Sequence, residues 1–130
     1  MNHPKQSDAT FEEINLLIWN HLLARDWHKP EPRGLATSIA LEAGELLEHY
    51  QWSDKPVGSK EELAAELADI FIYGFEFAQA NDIDIPEAIR LKLKKAAAKY
   101  PARDFKGRDR MTQRSAWIAA KKNHKKEETL

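Results

Sequence analysis

Apart from the four residues DIDI at 82–85, no stretch of this 130-residue chain alternates apolar and polar side chains with the period of a strand. Apolar residues recur instead every three or four positions through four segments, the period of one face of an α-helix. A chain patterned this way has no sheet to build and must bury helix against helix.

The ends of these segments are written in the sequence. Thr10 and Glu13 have the spacing of a capping box, which predicts a helix through FEEINLLIWNHLLARDW with Phe11, Ile14, Ile18 and Leu22 on one face. The two prolines of HKPEPRG break it. A second helix is expected over about Arg33 to Trp52, and SDKPVG forms a turn. Ser59 and Glu62 are a second capping box, opening a helix that runs to about Asn81. In NDIDIP, Asp84 can cap a fourth helix and Pro86 can occupy its first turn; Pro101 of KYP stops it. Short connections between long helices imply antiparallel neighbours, hence an all-α, four-helix bundle-like protomer. The expected domain is 1–105. Residues 106–130 form a basic, charge-rich extension in which TQRSAWIAAKKN could make one short helix, anchored by Trp117 and Ile118.

Composition removes several classes of function. A net charge of -1 exerts no general pull on nucleic acid or membrane, and no apolar run reaches the roughly 20 residues of a membrane span. With no cysteine, disulfides, thiolate metal sites and cysteine nucleophiles are excluded. The polar start MNHPKQSD does not read as a signal peptide. A soluble, cytoplasmic protein without nucleic-acid or membrane partners is expected.

One acid is out of place. Leu35, Ile39, Glu42, Leu46 and His49 are spaced four, three, four and three, so Glu42 sits on the apolar stripe of its own helix. Glu45 follows one turn later, and the third helix repeats the arrangement with Glu66 and Asp69 inside the apolar run ELADIFIY. Such a run should be buried, which would leave Asp69 little access to water. Two acidic pairs on adjacent antiparallel helices can face one cleft, and four carboxylates cannot share it ionised without compensation. Carboxylate oxygens suit a hard divalent cation, Mg²⁺ or Mn²⁺, and Mg²⁺ commonly shares its remaining positions between water and substrate phosphates. Glu48 and Glu76 read as solvated. Gly44 and Gly74 inside the helices suggest close approach of a backbone or a ligand.

Trp27, Trp52 and Tyr73 could stack on a base, and Lys92, Lys95 and Lys99 share one side of helix four, where they could meet phosphates. GSKEE lacks the upstream glycine of a P-loop, and neither HExxH nor Glu-x-x-His occurs.

The pieces ARDW (24–27), PRGL (32–35), EAGELLEHYQW (42–52), EELAAELADIFIY (61–73) and KLKKAAAKYP (92–101) resemble the all-α nucleoside triphosphate pyrophosphohydrolases of the MazG-like and dCTP pyrophosphatase-like group. The resemblance implies Mg²⁺ on Glu42, Glu45, Glu66 and Asp69, base and sugar near Trp27, Trp52 and Tyr73, and phosphates near Lys92 and Lys99. It implies hydrolysis of a (d)NTP to the monophosphate and pyrophosphate, in a homodimer or a dimer of dimers whose sites often draw on more than one chain. In the mechanism it suggests, Glu45, with Glu42 beside it, is the candidate for orienting the attacking water. Three positions depart from the group: Ala96 and Gly34 stand where Asn is frequent, and Ile18 where some dCTP-selective members carry His. The alternatives are a non-catalytic helical module with an acidic face, and a phosphohydrolase of another phosphorylated metabolite.

Overall fold

The computed structural model describes residues 5–129, so the first four residues of the polar start and Leu130 lie outside it. Five α-helices carry the chain: α1 (Phe11–Leu23), α2 (Pro32–Glu48), α3 (Lys60–Ala80), α4 (Ile85–Lys99) and α5 (Arg110–Glu128), with one 3₁₀ turn at Ala102–Asp104. No strand occurs among the described residues. The described residues form two compact units, divided between Ile85 and Pro86.

In the first unit α2 runs along α3, and α1 crosses α3 more sparingly. Both capping boxes form. The Thr10 hydroxyl accepts from the Glu13 amide at 3.2 Å, and the Glu13 carboxylate accepts from the Thr10 amide at 2.7 Å. Ser59 and Glu62 make the same pair at 3.2 and 2.6 Å. The α1–α3 contact lies at the C-terminal end of α3, where Phe11 stacks on Phe75 at 4.7 Å between centroids. There the Gln79 amide also donates to Asn15 Oδ1 at 2.9 Å. Leu22, Leu35, Phe75 and Ala78 are the buried apolar side chains of the described residues.

Two helices stop earlier than their apolar periods suggest. Asp26 adopts φ 56°, and the amide of Trp27 donates back to the Leu22 carbonyl at 2.9 Å. This left-handed C-terminal motif turns Trp27 away from the axis of α1. Beyond Glu48 the amides of Tyr50 and Gln51 bond three residues back, and Val57 donates to the His49 carbonyl at 2.8 Å. Trp52 therefore sits in the loop after α2 rather than at the end of a helix.

The second unit holds α4, the 3₁₀ turn and α5. Its last helix is 19 residues long, not the short one expected. Asp109 caps it, accepting from the Thr112 amide at 2.8 Å, and the Thr112 amide and hydroxyl hold the Asp109 carboxyl below its ordinary range. Lys121 lies 4.3 Å from the centre of the Trp117 ring, and His124 faces Glu128 one turn on at 3.0 Å. No described helix is long and apolar enough to cross a membrane.

Candidate metal and nucleotide site

The apolar stripe of α2 faces α3 as its spacing predicts. Leu35 is buried, and Ile39, Glu42, Leu46 and His49 are half-buried. Because the helices are antiparallel, the acids descending α2 meet those ascending α3. Glu42, Glu45 and Glu66 each place a carboxylate oxygen within 4.8 Å of the other two. Oε2 of Glu42 is buried and meets no hydrogen-bond partner. Loss of solvation pushes the Glu42 carboxyl above its ordinary range; Glu45 adds to this as a hydrogen-bonding and charged neighbour, followed by the charges of Asp69 and Glu66. An all-carboxylate donor set with one buried, unpartnered oxygen fits a hard divalent cation.

Asp69 lies one turn beyond Glu66, near enough to act on Glu42 by its charge. It is exposed, contrary to the expectation from its apolar run. Periodicity reports how apolar a helix is, not how many neighbours cover it. The α1 contacts with α3 fall at Phe75 and Gln79, whereas Leu67 and Phe71, nearer the start of α3, are 48% and 59% exposed.

Beside the carboxylates opens a cavity of about 670 Å³. Asp69, Tyr73 and Glu76 line it from α3, Leu17, Ile18 and His21 from α1, Leu35 and Ser38 from α2, and Trp27 from the turn after α1. Its floor is mostly aliphatic and aromatic, while its acids lie on α3 and at Glu31. Trp27 is held at the rim by an edge contact with His21, 6.2 Å between centroids, and by Arg25 5.9 Å from its ring.

The other candidates lie elsewhere. Trp52 is 83% exposed and does not line the cavity. Lys92, Lys95 and Lys99 belong to the second unit, where they line a groove with Asn123 and His124 of α5. The glycines do not play the part expected of them within the chain, since a Cβ at Gly44 or Gly74 would meet nothing within 4 Å. The close approach falls at Gly58 instead, where a side chain would collide with the His49 ring and the Glu62 carboxylate. This packing sets His49 Nε2 3.5 Å from Glu66 Oε1, so the loop after α2 backs one acid of the cluster. His49 carried a sequence signal in its place on the stripe; Gly58 carried only its position before the second capping box. Glu48 is exposed as expected, but Glu76 is half-buried in the cavity wall rather than solvated.

An all-α protein with a carboxylate cluster between antiparallel helices, beside an aromatic-lined cavity, is the class that fold and site define. The chain belongs to the MazG-like family, whose model matches residues 37–113. It is 34% identical over 110 residues to dCTP pyrophosphatase 1 of Bos taurus, a match covering 78% of this chain and 65% of that one. Against dCTP pyrophosphatase 1 of Homo sapiens it is 35% identical over 104 residues, covering 73% and 61%. The chain thus spans somewhat less than two thirds of the length of these curated relatives. Among solved structures it is similar to a pyrophosphatase from Archaeoglobus fulgidus, with TM-score 0.60 and 28% identity, covering 76% of this chain and 99% of that one.

Proposed function

We propose that this chain is a Mg²⁺-dependent nucleoside triphosphate pyrophosphohydrolase that converts a (d)NTP to the monophosphate and pyrophosphate. A dCTP-like or non-canonical dNTP is the favoured substrate, and house-cleaning of the nucleotide pool the purpose. The observation that carries this reading is three carboxylate oxygens within 4.8 Å of one another at the side of a cavity walled by Trp27 and Tyr73. The dCTP pyrophosphatases among its relatives support the choice of substrate.

Glu42, Glu45, Glu66 and Asp69 are the proposed ligands of Mg²⁺, for which Mn²⁺ can substitute. When bound, such a cation neutralises phosphate charge and lowers the pKa of water. Glu45, the exposed member of the close trio, orients the attacking water and takes its proton, with Glu42 beside it. The oxygen bridging the α- and β-phosphates then departs with its electron pair as part of pyrophosphate. Trp27 and Tyr73 hold base and sugar in the cavity. Trp52, Lys92 and Lys99 are read as further substrate contacts, supplied in an assembled homodimer or homotetramer.

Pyrophosphate release from dCTP and the other triphosphates, measured with and without Mg²⁺, tests the reading. Glu45→Gln and Asp69→Asn should each lower the rate by about a hundredfold or more while the helical circular dichroism is kept. Full activity in either variant removes that residue from the site. If no triphosphate is hydrolysed and none raises the melting temperature, the chain is instead a non-catalytic helical module.

A further inference from the structure

The cavity contains an acid for which the carboxylate cluster has no use. Glu76 follows Asp69 by two turns and Tyr73 by one, and all three open onto the same space. At 1.5 Å rise per residue, Asp69 and Glu76 stand about 10 Å apart along α3. A nucleotide covers such a span from its 5′-phosphate, across the sugar, to the far edge of its base. Phosphates held at the Glu42–Glu66 end would bring that edge toward Glu76.

The surroundings of Glu76 give it nothing to do within the chain. Leu17, Ile18 and Ile72 line the same cavity together with His21, Tyr73 and Asp69, yet no hydrogen-bond or ion-pair partner of Glu76 is found among the described residues. It is half-buried, and burial holds its carboxyl above the ordinary range. A carboxylate kept in an apolar wall without a partner costs stability. Its oxygens remain open to whatever fills the cavity.

We propose that Glu76 is a specificity-determining residue that accepts a hydrogen bond from an exocyclic amino group on the base edge remote from the sugar. The cavity then favours 4-aminopyrimidine and 6-aminopurine nucleotides over their 4-oxo and 6-oxo counterparts. This inference rests on the nucleotide reading of the cavity. Cytosine and adenine present an N–H₂ donor at that edge, whereas uracil, thymine and the 6-oxopurines present a carbonyl acceptor. A carboxylate facing a carbonyl has no proton to share, and both acceptors are left unpaired against an apolar wall. A hydrogen bond to a charged group is strong enough to discriminate about ten- to a hundredfold.

The test compares kcat/KM for dCTP against dUTP and for dATP against dITP. Binding of dCMP and dUMP is measured separately by calorimetry, which needs no turnover. The wild-type chain should favour the amino member of each pair by about ten- to a hundredfold. Glu76→Gln keeps the volume but can turn either its oxygen or its nitrogen to the base, so the ratios should fall toward unity. Glu76→Ala, a good helix residue, should do the same, with the fall coming from the amino substrates in both variants. Ratios near unity in the wild type, or ratios that survive both substitutions, overturn the proposal. If triphosphates are hydrolysed without amino preference, this inference fails and the hydrolase reading stands. If none is hydrolysed but dCMP binds better than dUMP through Glu76, the hydrolase reading fails and this one stands. Absence of both turnover and monophosphate binding overturns both.

Discussion

Glu76 and Glu42 are both carboxyls held above their ordinary range, and they differ in cause. Glu42 adds the charges of Glu45, Asp69 and Glu66 to its loss of solvation, whereas for Glu76 burial acts alone. That makes Glu76 the cleaner probe of linkage. Its folded state binds a proton more tightly than the unfolded chain does, so its contribution to stability is lost as pH rises through the raised value. Glu76→Gln, which cannot ionise, should therefore melt higher than the wild type at about pH 8, and the advantage should shrink toward about pH 5. A constant or reversed difference in melting temperature would mean that the carboxylate has a partner in the folded chain. Of the four acids of the proposed metal site, Glu42 and Asp69 stood out in the sequence by interrupting apolar patterns, and Glu45 and Glu66 by lying three residues from them. Glu76 broke the pattern too, yet periodicity could not tell a charge on the outer surface from one in a cavity wall. That distinction depends on α1 and on the turn that sets Trp27 at the rim, which are contacts between segments distant in sequence.

At the scale of elements, the two capped helix starts and the ends of α3 and α4 were readable, and the ends of α1 and α2 were not. A capping box is a local pair of hydrogen bonds between residues three apart, so Thr10–Glu13 and Ser59–Glu62 could be placed from the sequence alone. The end of α1 instead uses an aspartate, Asp26 at φ 56°, a position where glycine is the usual signal, and α2 gives way to turns that bond three residues back. The 19-residue α5 was underestimated because its second half is charged, and apolar anchors are a poor guide to a helix made of Lys and Glu. Ser59 matters beyond its own helix, since the same Glu62 carboxylate that completes the box also lies against Gly58 and the loop behind Glu66. Ser59→Ala should cost about 1 kcal/mol in urea unfolding, as N-cap losses generally do. If Glu62 also anchors the loop, Glu62→Ala should cost stability and, in addition, weaken Mg²⁺ binding measured by calorimetry. Equal Mg²⁺ affinity in Ser59→Ala, Glu62→Ala and the wild type would confine both residues to capping.

At the scale of the whole molecule, large apolar side chains stay uncovered on α2 and α3. Leu41 and Leu47 on α2 are 64% and 69% exposed, on the side of the helix opposite its buried stripe. Leu67 and Phe71 on α3, at 48% and 59%, continue the stripe of Ala78 beyond the contacts with α1. Gly44 lies between the two leucines of α2, and Gly74 follows Phe71 on α3; neither has any atom of the chain within reach of a Cβ. A glycine inside a helix costs about 1 kcal/mol relative to Ala, so two of them on open apolar faces call for a return from outside the chain. Close packing against a second copy would supply one, because a missing side chain lets another helix come near. Sedimentation should therefore give a mass of two or four times 15.0 kDa at micromolar concentration. Gly74→Leu, which fills the gap, and Phe71→Glu, which charges the face, should each shift the mass toward 15.0 kDa. In a chain that stays monomeric the same Gly74→Leu would only raise helix propensity and stabilise the fold. The sign of its effect on the melting temperature therefore decides between a free face and a shared one.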